Sequence, residues 1–195
     1  MKSLSLSKPH VIVMVGLPGS GKSFFAQQFA ETFRAPYVDR NRVAMYVHED
    51  AEAADQIVSE QLDELLKTQQ SIIVEGVSDT RTGRSELARR AKAAGYETLF
   101  IWVQTDPVTA KDRSTKITKN STGRMLTPEA YDQAVKRFTP PAAAEKPVVI
   151  SGKHTYATQA KAILKKLSSP RAEISKHTAA PVRPDQPTRR NITIR

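Results

Sequence analysis

Residues 16–23 read Gly16-Leu17-Pro18-Gly19-Ser20-Gly21-Lys22-Ser23, a complete GxxxxGK[ST] pattern. Each residue type in it has a chemical use. A triphosphate needs many hydrogen-bond donors at close range, and three glycines let backbone N–H groups converge and take positive φ where the turn demands it. A helix opening at Lys22 adds its dipole and its free first-turn N–H groups. Lys22 then reaches the β- and γ-phosphates. The Ser23 hydroxyl faces Mg²⁺, an ion that takes few protein ligands and keeps several waters. All eight residues are therefore candidate nucleotide contacts, with ATP and Mg²⁺ as the expected cofactors.

The same string could be a glycine turn that binds nothing, so the flanking elements matter. Residues 10–15 (HVIVMV) form a short apolar run suited to a strand buried on both faces. After the loop, Phe25, Phe29 and Phe33 recur at helical spacing. Strand, glycine loop and helix in that order are the context the chemistry requires.

The rest of the chain alternates in the same way. Strands are predicted at 35–39, 71–75, 98–103 and 148–151. Helices are predicted at 52–68, with Val58, Leu62 and Leu66 on one stripe, at 84–94 ended by Gly95, at 107–117, at 128–138 and at 156–167. Asp106 before Pro107 and Thr127 before Pro128 read as N-caps. Residues 116–126 read as a polar basic loop. The predicted fold class is therefore α/β, a P-loop NTPase fold: a five-stranded parallel sheet with helices on both faces.

Composition narrows the class further. With 39% hydrophobic and 26% charged residues the chain can build an ordinary core. It has no Cys, which excludes a disulfide scaffold and a thiolate metal site, and its four scattered His do not suggest zinc. No run is long enough to span a bilayer, so no membrane association is expected. The first ten residues lack the apolar core of a secretory signal, and the expected location is cytoplasmic. Thirty Lys and Arg against 20 Asp and Glu give a net charge of +10, a field that attracts polyanions. After Ser168 the character changes to four Pro, six Lys or Arg and two acids. Residues 1–168 are read as the domain and 169–195 as a basic tail, which is either solubilising or an arm for a polyanion.

A GTPase would carry an NKxD-type base-reading segment, and Thr118-Lys119-Asn120 has the wrong order. The size and element order fit a nucleoside-monophosphate-kinase-like fold. The loop, with Pro18 at its third position, resembles that of the AAA_33-type P-loop kinases. That group includes the 5′-kinase domains of polynucleotide kinases and is related to the zeta-toxin and chloramphenicol phosphotransferase kinases. The resemblance spans roughly residues 9–167. Asp39-Arg40-Asn41-Arg42 resembles the family's D-x-x-R element, which implies Asp39 as the base for the attacking hydroxyl and Arg42 as a holder of substrate phosphate. Asp39 could instead cap a helix starting near Asn41. Glu75 stands where the family often has a Walker-B-like acid. A carboxylate there can hold a Mg²⁺ water beside Ser23, with Asp79 as its rival and an ordinary strand-end acid as the alternative. Arg84 resembles a family arginine at the start of the next helix, or is a solvated helix residue. The Lys111, Arg113, Lys116, Lys119 and Arg124 cluster resembles the family's lid. Arg113 and Arg124 are its best matches for neutralising transition-state charge. Trp102 reads as core, and Tyr37 and Tyr46 as packing residues or stacking platforms.

The resemblance implies ATP-dependent phosphoryl transfer to a hydroxyl of a small metabolite, a nucleoside or a nucleic-acid 5′ end. The alternative is an ATP-binding, ATP-hydrolysing or nucleic-acid-binding protein without kinase activity. The acceptor and the oligomeric state are not encoded in any motif of the sequence.

Overall fold

The structure, a computed structural model, describes residues 8–116 and 125–168. Five strands, β1 (His10–Val15), β2 (Tyr37–Asp39), β3 (Ile72–Glu75), β4 (Glu97–Gln104) and β5 (Val148–Ser151), form one parallel sheet in the order β2-β3-β1-β4-β5. The helices are α1 (Lys22–Phe33), α2 (Arg40–Tyr46), α3 (Ala51–Lys67), α4 (Arg81–Ala93), α5 (Pro107–Thr115), α6 (Pro128–Arg137) and α7 (Tyr156–Ser168). Among the described residues, no helix is long and apolar enough to cross a membrane.

Strand parity divides the core into two halves. Val11, Val13, Ile72 and Val74 face one side and pack with Val58, Leu62 and Leu66 of α3 and Leu87 and Ala91 of α4. Ile12, Met14, Ile73 and Ile101 face the other and meet Phe25 and Phe29 of α1 and Ala160 and Ile163 of α7. Both faces being covered is why β1 and β3 read as continuous apolar runs. From β1 the chain crosses the α1 face to reach β2, whereas β2 to β3 and β3 to β4 return across the α3 and α4 face. The connections therefore part at the carboxyl end of β1, where open α/β sheets place their ligand crevice.

The predicted elements are present, with shifted ends. α4 begins at Arg81, three residues before the sequence expectation, because the Thr80 side chain accepts from the Gly83 N–H and caps the helix there. This moves Arg84 from the helix start into the inward stripe it shares with Leu87 and Ala91. Arg84 is therefore neither at the helix start nor solvated. It is fully buried, and its guanidinium donates to Glu145, to the carbonyls of Ser78 and Thr139 and, at 3.4 Å, to that of Pro140. One side chain thus ties the chain leaving α6 to the loop after β3. From that loop Ser78 donates to the Met14 carbonyl of β1 at 2.6 Å.

Candidate active site

The loop between β1 and α1 is shaped by close backbone approaches. A Cβ on Gly16 would lie 2.6 Å from the Val103 carbonyl oxygen of β4. Gly19 has φ +75°, and a Cβ there would collide with the Ala110 carbonyl of α5. These two glycines let the loop sit against β4 and α5, so a larger residue at either would push it outward. Gly21 stands at the N-cap of α1 and supplies no side-chain cap, which leaves the first-turn N–H groups to an anion. The Lys22 ammonium lies along the loop, donating to the carbonyls of Gly16 at 2.8 Å and Leu17 at 2.9 Å.

Beside it three elements meet. Ser23 at the start of α1 donates its hydroxyl proton to Glu75 Oε1 at 2.8 Å. Glu75 ends β3 and is 2% exposed. On β2, Asp39 is its Cα partner across the parallel ladder. Tyr37, two residues earlier and so on the same face, donates to Glu75 Oε2 at 2.8 Å and lies 3.4 Å from Asp39 Oδ2. Parity explains the gathering: Tyr37 and Ile73 belong to the half of the core under α1, and Asp39 and Glu75 follow each by two residues.

Burial pushes the Glu75 carboxyl above the usual range, and the Asp39 charge pushes in the same direction. The Lys22 charge and the hydrogen bonds from Tyr37 and Ser23 oppose them. The Tyr37 phenol is pushed far up by burial and by the two carboxylates, so it stays a proton donor throughout the neutral range. Asp39 also has a structural duty. Its Oδ1 accepts from the backbone N–H groups of Asn41 at 3.0 Å and Arg42 at 3.4 Å, capping α2. The helix-cap alternative is thus realised, on one oxygen of the carboxylate. Arg42 is exposed on the first turn of α2.

The donor set suits the expected ligands. Ser23, in the first turn of α1, and Glu75, at the end of β3, are hard oxygen donors beside a phosphate-type loop. Among the described residues, no three His, Cys, Asp or Glu cluster as a metal cage. A magnesium ion carried by nucleotide phosphates needs no such cage. Ser23 pairs with Glu75, while Asp79 is exposed in the following loop, its carbonyl accepting from Thr139 N–H.

Comparison with known proteins fits this geometry. Residues 11–141 match the family model described as an AAA domain, AAA_33. The chain belongs to the AAA_33 family. No curated protein matches it. Among solved structures it is similar to a gluconokinase from Sinorhizobium meliloti 1021, at 18% identity and TM-score 0.59, over 82% of this chain and 91% of that one. It is also similar to the Mycobacterium tuberculosis APS kinase CysC in complex with AMPPNP and APS, at 17% identity and TM-score 0.57, over 83% and 99%. A third likeness is to the Pnkp1/Rnl/Hen1 RNA repair complex, at 20% identity and TM-score 0.54, over 69% and 45%. At these identities the likeness establishes the shared P-loop kinase fold.

Of the basic residues expected to form a lid in this AAA_33 domain, the structure sorts three. Arg113 on α5 is exposed and donates to the Gly152 carbonyl at 3.2 Å. It stands at the rim of the phosphate loop, because Gly152 is bonded to β4 through Gln104 and Thr105 of that strand's end donates to the Ser20 carbonyl. Lys111 is instead paired with Asp132 of α6 at 2.7 Å, over the Tyr131 ring, and Lys116 with Asp112 at 2.8 Å. Lys119 and Arg124 lie outside the described residues, as does the whole of 169–195. Trp102 is half-buried rather than fully in the core. With Leu17, Val135 and Phe138 it lines an open cleft of about 660 Å³ beside the loop. Tyr46 is 75% exposed at the end of α2.

The hydroxyl of Tyr37 is the contribution that the sequence reading missed. Its signal was present: a Tyr two residues before the candidate base shares its strand face.

Proposed function

We propose that this chain is a kinase that transfers the γ-phosphoryl group of ATP to a hydroxyl of a small metabolite, a nucleoside or a nucleic-acid 5′ end. The observation that carries the reading is the contact of Ser23, next to Lys22, with a buried carboxylate that has Asp39 directly across from it on the neighbouring strand. Membership of the AAA_33 family and the likeness to a gluconokinase and an APS kinase support it.

The loop N–H groups and the N-terminus of α1 would hold the triphosphate, with the Lys22 ammonium turned from the loop carbonyls to phosphate oxygens. Ser23 and Glu75 would hold Mg²⁺, which supplies charge neutralisation on the phosphates. Asp39 Oδ2, the oxygen not used for capping, takes the proton of the acceptor hydroxyl. The acceptor oxygen bonds to the γ-phosphorus as the bond to the β,γ-bridging oxygen breaks, and ADP leaves with that electron pair. Arg42 would grip an anionic acceptor, and Arg113 and Arg124 would balance charge on the transferring group.

The test is transfer of labelled γ-phosphate from ATP to a panel of 5′-hydroxyl oligonucleotides, nucleosides, sugars and amino-sugar nucleotides, with product separated from free phosphate. A labelled acceptor is the expected result, and Lys22→Ala should lower its formation by about 100-fold or more while the melting temperature is kept. Free phosphate alone, with every acceptor present, would favour an ATPase. No nucleotide binding would overturn the reading.

A further inference from the structure

The Glu75 carboxylate is held from two sides. Oε1 takes the proton of Ser23 on α1, and Oε2 takes that of Tyr37 on β2. A terminal carboxylate torsion is broad and close to two-fold, so a single donor leaves the plane of the group free to swing. Two donors from two rigid elements define it. A serine hydroxyl that gives its proton to Glu75 keeps its lone pairs for a cation. The orientation of Glu75 therefore decides which way Ser23 presents those lone pairs. Tyr37 is well suited to enforce this. Its ring packs in the half of the core under α1, beside Ile73 of β3, so the phenol is anchored by burial rather than by the site. Its hydroxyl stands between two carboxylates and has no acid–base work of its own.

Resting on the proposed function, we propose that Tyr37 is a positioning residue: its hydroxyl locks Glu75 in the orientation that accepts the Ser23 proton, and so prepares Ser23 for the cation of a Mg²⁺–nucleotide complex. It acts through Glu75 and does not itself touch nucleotide. Outer-shell partners of this kind are typically worth 10–100-fold in metal affinity.

The experiment measures binding of the non-hydrolysable analogue AMPPNP to the full chain by calorimetry, in EDTA and again in excess MgCl₂. The quantity read is the increment in affinity that Mg²⁺ supplies. Tyr37→Phe should keep the EDTA affinity within about 2-fold and lose about 10-fold or more of the increment. Glu75→Gln should lose it too, and adding Tyr37→Phe to Glu75→Gln should change nothing further. Should the single Phe variant not fold, that double variant carries the comparison, because it leaves no buried carboxylate short of its donor. A wild-type increment in Tyr37→Phe overturns the inference. So does an equal loss in EDTA and in MgCl₂, which is the signature of packing alone, or a further loss in the double variant. Mg²⁺-dependent binding by the unaltered chain keeps the proposed function standing in each of those cases. Absence of binding by the unaltered chain would overturn both.

Discussion

Asp39 holds two roles on two oxygens, and substitution can separate them. Oδ1 caps α2 through the N–H groups of Asn41 and Arg42, whereas Oδ2 is the proposed proton acceptor. Asn caps a helix about as well as Asp, so Asp39→Asn keeps the first role and removes the proton affinity of the second. Loss of a positioned general base lowers turnover by roughly 10²–10⁴-fold. At about 1.4 kcal/mol per decade that raises the barrier by about 3–5 kcal/mol. Stability should change by less than about 0.5 kcal/mol, a shift of about 2 °C or less for a domain of this size. Asp39→Ala removes both roles. It should lose the same turnover and, in addition, about 1 kcal/mol of stability, seen as a melting point lower by about 2–4 °C. The assay is phosphoryl transfer to the acceptor that the panel identifies, with AMPPNP affinity and thermal melts on the same preparations. Asp39→Asn turning over within about 3-fold of wild type, with Asp39→Ala destabilised as stated, would refute the base and leave only the cap.

Three further outcomes are expected. Arg84→Met removes a fully buried guanidinium and strands Glu145 and the carbonyls of Ser78 and Thr139, which should cost about 3–5 kcal/mol and lower the melting temperature by about 10 °C. The Arg84 bond holds the Glu145 carboxyl below the usual carboxylate range, so the stability it contributes is present above the ordinary Glu value of about 4.3 and is lost as pH falls through the lower folded value. Glu145→Gln should therefore melt below wild type at pH 7, the two curves converging below about pH 4, and parallel curves at every pH would dispose of the pairing argument. We further propose that residues 169–195 form a basic arm. Ending the chain at Ser168 lowers the net charge from +10 to +6, by six positive and two negative side chains. It should spare transfer to a small acceptor while weakening single-stranded nucleic-acid binding and flattening its salt dependence, and equal affinity and slope for both chains would remove the arm.

The sequence alone determined the phosphate loop and the frame around it. Eight consecutive residues carry that chemistry, and a buried strand before them and a phenylalanine-striped helix after them are local patterns, so no distant contact was needed to recognise them. The alternation of short apolar runs with amphipathic segments likewise fixed a parallel α/β sheet, because strands covered on both faces leave no polar alternation to confuse with a meander. Two helix caps, Asp106 and Thr127, were legible for the same reason: capping is settled within three residues.

Tertiary structure decided everything that depends on which strands become neighbours. β3 lies between β1 and β2, so the two strands joined through the phosphate loop and α1 are not neighbours in the sheet. Only that order sets Asp39 opposite Glu75 and brings Ser23 to Glu75. The same long-range closure made Arg84 a buried tie, because its partners Thr139, Pro140 and Glu145 come from more than 50 positions away. It also spent Lys111 on α6, though the family resemblance had placed that residue with the lid. Spacing along a chain reports a residue's own element and face. The partner on the far side of that face is chosen by how the sheet is wound, and a side chain's chemistry follows from the partner it meets.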